Sequence, residues 1–206
     1  MAYNEFTLDG TIRLFSLRIV SQPNAFVEAA SVTLSSLLWE TLAESVTLAL
    51  EVSTEKARSE FIIAPVLAEV RRQLGRQISL FSGIDFTVDS EAGLRGVCDF
   101  LFSLSPLQLS VQAPVLAVVE AKNENIKAGI GQCVAEMIAA QRFNAARAAT
   151  LPSVYGVVTT GSNWKFLRLT DTTVTVDQTE YSIAQPEQIV GILIAMIREA
   201  QDAFVP

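Results

Sequence analysis

The stretch Val115-Leu-Ala-Val-Val-Glu-Ala-Lys122 constrains this chain more than any other. It begins as a buried strand and ends with two charges one residue apart. Side chains alternate between faces along a strand, so Glu120 and Lys122 point the same way. A second apolar stretch rich in strand formers, Arg95-Gly-Val-Cys-Asp-Phe-Leu-Phe102, carries Asp99. If the two strands are neighbours, two carboxylates and an ammonium converge in otherwise apolar surroundings. Unpaired buried charge is costly, and either a divalent cation or a structural salt bridge at the strand ends relieves it.

The rest of the chain supplies a frame for such strands. Residues 1–24 are mixed, with turn signals at Asp9-Gly10 and Gln22-Pro23-Asn24. From Ala25 to about Val52 the spacing of Phe26, Leu34, Leu37, Leu38, Leu42, Val46 and Leu50 predicts an amphipathic helix. Ser53-Thr54 before Glu55 reads as a helix start, and Pro65 as a kink or division in the helix that follows. Strands are expected at Ile78–Phe81, Phe86–Val88, Val97–Ser103 and Val115–Ala121, then a helix from Ile126 to about Ala148. Val154–Thr159, Trp164–Arg168 and Val174–Val176 return to strand pattern, and Pro186 opens a last helix. The expected class is α/β, a three-layer sandwich with a mixed central sheet flanked by helices. Residues 1–52 would form an N-terminal helical extension packed on a core of residues 53–206, the whole making one domain.

Composition narrows the chemistry. The 206 residues include no histidine. Ser-His-Asp and Cys-His catalysis, His-containing zinc sites and histidine bases are therefore excluded. Cys98 and Cys133 lie in apolar surroundings and make no disulfide framework. No apolar run approaches the roughly 20 residues of a membrane span, and the expected location is cytoplasmic. The net charge of −7 weighs against broad attraction to nucleic acid, although a local basic groove remains compatible with it.

Four segments in order, Ser59-Glu-Phe-Ile-Ile-Ala-Pro65, Gly96-Val-Cys-Asp99, Val119-Glu-Ala-Lys122 and Tyr155-Gly-Val-Val-Thr-Thr-Gly-Ser-Asn-Trp164, resemble the PD-(D/E)xK nuclease superfamily. Within it, the chain is most similar to the N-terminal nuclease domain of type I restriction enzyme motor subunits, over roughly Lys56 to Leu169. The resemblance implies a restriction-endonuclease-like fold and cleavage of DNA with Mg2+ (or Mn2+). It implies that Asp99 and Glu120 ligate the metal, with Glu60 as the acid on the first core helix. Lys122 would orient or activate the attacking water, and Gln132 would stand beside the site. The chain departs from the pattern at Cys98, where proline usually precedes the first acid, and at Glu136, where exonuclease-like members carry tyrosine.

The residues suit that chemistry without the family name. Magnesium takes oxygen ligands and keeps several waters, so one or two carboxylates and a phosphate oxygen suffice. A lysine beside the metal is expected to have a lowered pKa. Each residue also has a plainer reading. Glu60, with Glu55, Lys56 and Arg58 beside it, reads alone as a solvated helix face, and so does Lys127. Arg71, Arg72 and Arg76 form either a wet face or a phosphate contact. Gly129 and Gly131 suit close helix packing, and Trp164 and Phe166 suit the core. Two functions are expected, a metal-dependent DNA nuclease or a catalytically weak or inactive module keeping the nuclease fold. Cutting both strands calls for two sites, so a homodimer is expected, through the 30–50 helix or the last helix.

Overall fold

The computed structural model describes residues 2–26 and 31–204. A short 3-10 turn, Tyr3–Glu5, leads into α1 (Leu8–Phe15), β1 (Arg18–Gln22) and α2 (Ser36–Val52). A nearly continuous helix follows, made of α3 (Glu55–Arg58), a π turn (Ser59–Ile63) and α4 (Ala64–Gln73). Then come β2 (Ser79–Asp85), β3 (Val97–Ser103), β4 (Val115–Ala121) and α5 (Ile126–Ala145). The chain ends with β5 (Val154–Thr159), β6 (Asn163–Thr170), β7 (Thr173–Asp177), β8 (Tyr181–Ser182) and α6 (Pro186–Ala203).

The strands form one mixed sheet in the order β1-β7-β6-β5-β4-β3-β2, with β8 paired to β6. Central β4 runs parallel to β5 and antiparallel to β3 and is buried along its whole length. Helices cover both faces, as an apolar central strand demands. On one face Leu38 and Leu42 of α2, Val66 and Val70 of α4, and Ile189 and Leu193 of α6 pack on Phe100, Val119 and Phe166. On the other, Val134, Met137 and Ile138 of α5 meet Leu101, Val118 and Val158. This is an α/β three-layer arrangement. Among the described residues no helix is long and apolar enough to cross a membrane.

Several expectations change. The N-terminal region is not purely helical, because β1 joins the sheet parallel to β7. The helix expected from Ala25 begins at Ser36, capped by the Ser35 hydroxyl, and residues 27–30 lie outside the described residues. Phe86–Val88 is no strand; the chain turns there and closes through a bridge between Asp89 and Leu94. Of the two helices considered for self-association, α6 is sunk in the core, whereas α2 leaves Leu37, Trp39, Leu48, Leu50 and Val52 exposed.

Pro65 does not divide its helix. It has no N–H to offer the Phe61 carbonyl four residues back, and the Ser45 hydroxyl of α2 donates to that carbonyl instead, at 2.7 Å. Just before it the Ala64 N–H reaches back five residues to Ser59, which makes the π turn. The basic cluster is largely committed to structure. Arg72 pairs with buried Glu69, and Arg71 donates to the Ile78 carbonyl at 3.0 Å.

Gly131 has the tightest surroundings on α5. A Cβ there would lie 2.5 Å from the Leu8 nitrogen and the Thr7 carbonyl carbon, backbone atoms with no rotamer to yield. Gly131→Ala should therefore cost about 2–3 kcal/mol in chemical denaturation. A change under about 0.5 kcal/mol would show that the N-terminal segment is not held against α5 in this way.

Candidate active site

The site forms where β3 and β4 part. Their regular pairing ends at Phe100 and Val119. Two residues further along β4 the Ala121 N–H turns to the side chain of Asp99, donating to its Oδ2 at 2.8 Å. β3 meanwhile continues beside β2 as far as Val97. The strands splay, and the Asp99 carboxylate lies close enough to buried Glu120 to act on it electrostatically. Alternation along β4 sends Glu120 and Lys122 toward α5, as expected.

Glu120 is 1% exposed, and its Oε1 accepts an ion-paired hydrogen bond from Lys122 Nζ. Lys122 also donates to Gln132 Oε1 at 3.2 Å, and Gln132 Nε2 donates in turn to Glu136 Oε1 at 3.1 Å. Gln132 and Glu136 share one face of α5 at the i, i+4 spacing. Gly129 makes room for the lysine, since a Cβ there would lie 3.0 Å from Lys122 Cγ. Sequence reasoning assigned no role to Glu136, which is fully buried and touches Glu120. Its spacing from Gln132 was the available signal.

Charge is unbalanced at this point. Burial, reinforced by Asp99, pushes the Glu120 carboxyl up to about 8 against the opposing pull of Lys122. Glu136 rises well above the carboxylate range through burial and the neighbouring Glu120. A proton held between these two carboxyls is the natural consequence. The lowered pKa expected for Lys122 does not occur. Burial pulls its ammonium down, but Glu120 outweighs that and leaves it above the ordinary lysine value.

Glu60 stands apart. It is about half exposed and pairs with Lys56 at 2.8 Å, one turn away on the same helix face. It shares with Asp99 a cleft of about 280 Å³, also lined by Glu55, Lys56, Ser59, Ser82 and Gly83. Among the described residues no three of His, Cys, Asp and Glu gather closely enough to hold a metal. The expected trio of Asp99, Glu120 and Glu60 is therefore not assembled. Asp99 and Glu120 remain, an all-oxygen pair short of positive charge, and that donor set fits a hard divalent ion that keeps most of its waters.

Other residues fall into plainer roles. Trp164 and Phe166 are fully buried, and the indole N–H donates to the Gly161 carbonyl at 2.9 Å. Cys98 and Cys133 are buried thiols whose pKa is pushed up by burial, so neither is a nucleophile. The chain matches no known protein-family model, and a comparison with curated proteins finds no match either.

The raised carboxyls fix the sign of a pH effect. Above the ordinary carboxylate pKa, the folded chain holds protons at Glu120 and Glu136 that the unfolded chain has released. Their contribution to stability therefore falls as pH rises from about 4.5 toward 8. Glu136→Gln keeps the shape and removes one of these protons. Its Tm advantage over wild type in EDTA should grow between pH 5 and pH 8. A gap that stays flat or shrinks would show that Glu136 is not held protonated.

Proposed function

We propose that this protein is a metal-dependent phosphodiesterase acting on DNA, and that its sandwich is of the restriction-endonuclease type. The observation that carries this reading is the splay of the two interior strands at Asp99 and Ala121, which leaves Asp99 close enough to raise the Glu120 carboxyl while Lys122 pairs with it. A structural ion pair has no need of the second carboxylate. Asp99 makes the charge balance around Glu120 worse rather than better.

In this reading Asp99 and Glu120 hold magnesium (or manganese), which when bound supplies Lewis-acid polarisation of a phosphoryl oxygen and a more acidic water. Lys122 stays protonated, so it serves as a donor to the charge that builds on the phosphoryl oxygens rather than as a base. Gln132 fixes the ammonium from the α5 side, and Glu136 fixes the amide of Gln132. Glu60 lies in the neighbouring cleft as a rim acid paired with Lys56. A homodimer would supply one such site per strand.

One observation favours a second reading, a nuclease-fold module without activity. Lys122 is closed onto Glu120, and Glu136 backs the same carboxylate. The two readings separate in a cleavage assay on single- and double-stranded DNA with Mg2+ or Mn2+. As an enzyme, the wild type should cut, chelator should stop it, and Asp99→Ala and Lys122→Ala should each lose about 100-fold or more. Equal traces for wild type and both variants would overturn the catalytic reading.

A further inference from the structure

A second cleft, of about 390 Å³, opens on the other side of the β4 end from the Asp99 cleft. It is bounded by the Asn123–Asn125 loop that follows Lys122, by the start of α5, by the β5–β6 turn and by Arg58. Strand order puts Glu120 and Lys122 between the two, since one cleft lies over β2 and β3 and the other over the β5–β6 turn.

We propose that this second cleft is a phosphate subsite, taking the backbone phosphate of a DNA strand next to the one held at Asp99 and Glu120. The assignment to DNA rests on the nuclease reading; the affinity for phosphate does not.

Arg58 carries the argument. Its side chain lines the cleft while the residue is only 8% exposed, and it has no carboxylate partner among the described residues. One nitrogen, Nη1, donates to the Thr160 carbonyl at 2.9 Å, and the buried Nε has no acceptor. A guanidinium withdrawn from water without a counter-charge is costly and poised for an anion.

The start of the 20-residue α5 supplies the second element. Asn125 caps the Ala128 N–H at 3.3 Å, and the preceding amides of Ile126 and Lys127 have no protein acceptor among the described residues. Free amides at a helix N-terminus favour a phosphate. Lys127 adds an exposed ammonium, and the Thr160 and Ser162 hydroxyls, 3.0 Å apart, add donors. Two acids lie on the rim, Glu124 and Glu180, both exposed, with Glu180 drawn toward Lys165 at 3.7 Å. The second cleft balances Arg58 and Lys127 against these two acids, whereas the Asp99 cleft is plainly acidic, with Glu55, Glu60 and Asp99 against Lys56. A cation on the acidic side and a phosphate at Arg58 and the α5 amides would set one strand across Lys122.

The test uses the full chain in EDTA. Inorganic phosphate is titrated at constant ionic strength while backbone amides are followed by NMR, and binding of a fluorescent 12-nucleotide single strand is followed by anisotropy. Saturable shifts at Ile126 and Lys127 are expected. Lys127→Ala, at an exposed position, should weaken the oligonucleotide at least fivefold and lower the salt slope by about 0.7. Arg58→Gln should abolish the phosphate shifts, with the folded amide spectrum as its control. Unmoved amides, or unchanged oligonucleotide binding and slope in Lys127→Ala, would overturn the subsite even if the wild type cleaves DNA. Saturable phosphate binding in a chain that never cleaves would keep the phosphate site and discard the nuclease reading alone.

Discussion

A single hydrogen bond from the Ala121 N–H to Asp99 governs the rest of this structure. In an undisturbed ladder that N–H would face a main-chain carbonyl, and the two strands would stay closed to their ends. Substituting a side-chain oxygen lets β3 follow β2 while β4 stays with β5. The opening so made is where polar groups reach the middle of a sheet whose central strand is otherwise wholly apolar. The same bond holds Asp99 near Glu120, where its charge adds to the burial that raises the Glu120 carboxyl.

The α5 side answers with small and amide-bearing residues rather than with charge. Gly129 leaves the channel in which Lys122 lies, and Gln132 gives the ammonium a neutral acceptor. Buried Glu136 then has to be a carboxylic acid rather than a carboxylate, because neither its surroundings nor Glu120 tolerate a second negative charge. A neutral acid can both donate and accept; Glu136 Oε1 accepts from Gln132, while its buried Oε2 has no partner among the described residues.

Much of this was legible in the sequence because the signals were periodic. The two-residue repeat of β4 placed Glu120 and Lys122 on one face, whereas Gln132 was placed beside them only by the family resemblance. Thr54 announced its helix and caps it, accepting from the Ala57 N–H. What escaped had no such period. β1 is an edge strand with its residues exposed or half-buried, so it lacks the alternation that marks a strand. Arg58 sits among charged neighbours and read as part of a wet face, yet it is buried across the β5–β6 turn. Glu60 matched a motif by position, but its ion pair with Lys56 is a matter of helix phase that no spacing rule settles. Glu136 looked like any helix acid, because burial belongs to the assembled layers and not to one element.

The π turn at Ser59–Ile63 gives its helix an unusual sensitivity. Its widened turn adds about one residue to the regular winding, and one residue is about 100° of helix rotation. Upstream of it, Arg58 and Glu55 look toward the two clefts; downstream, Val66 and Val70 grip the sheet. Shortening the chain here by a single residue would restore an ordinary helix and swing the upstream charges a quarter-turn out of place while the core stayed intact. The segment thus tolerates changes of letter better than changes of length, and the Ser45 hydroxyl, distant from any reacting group, helps keep that count.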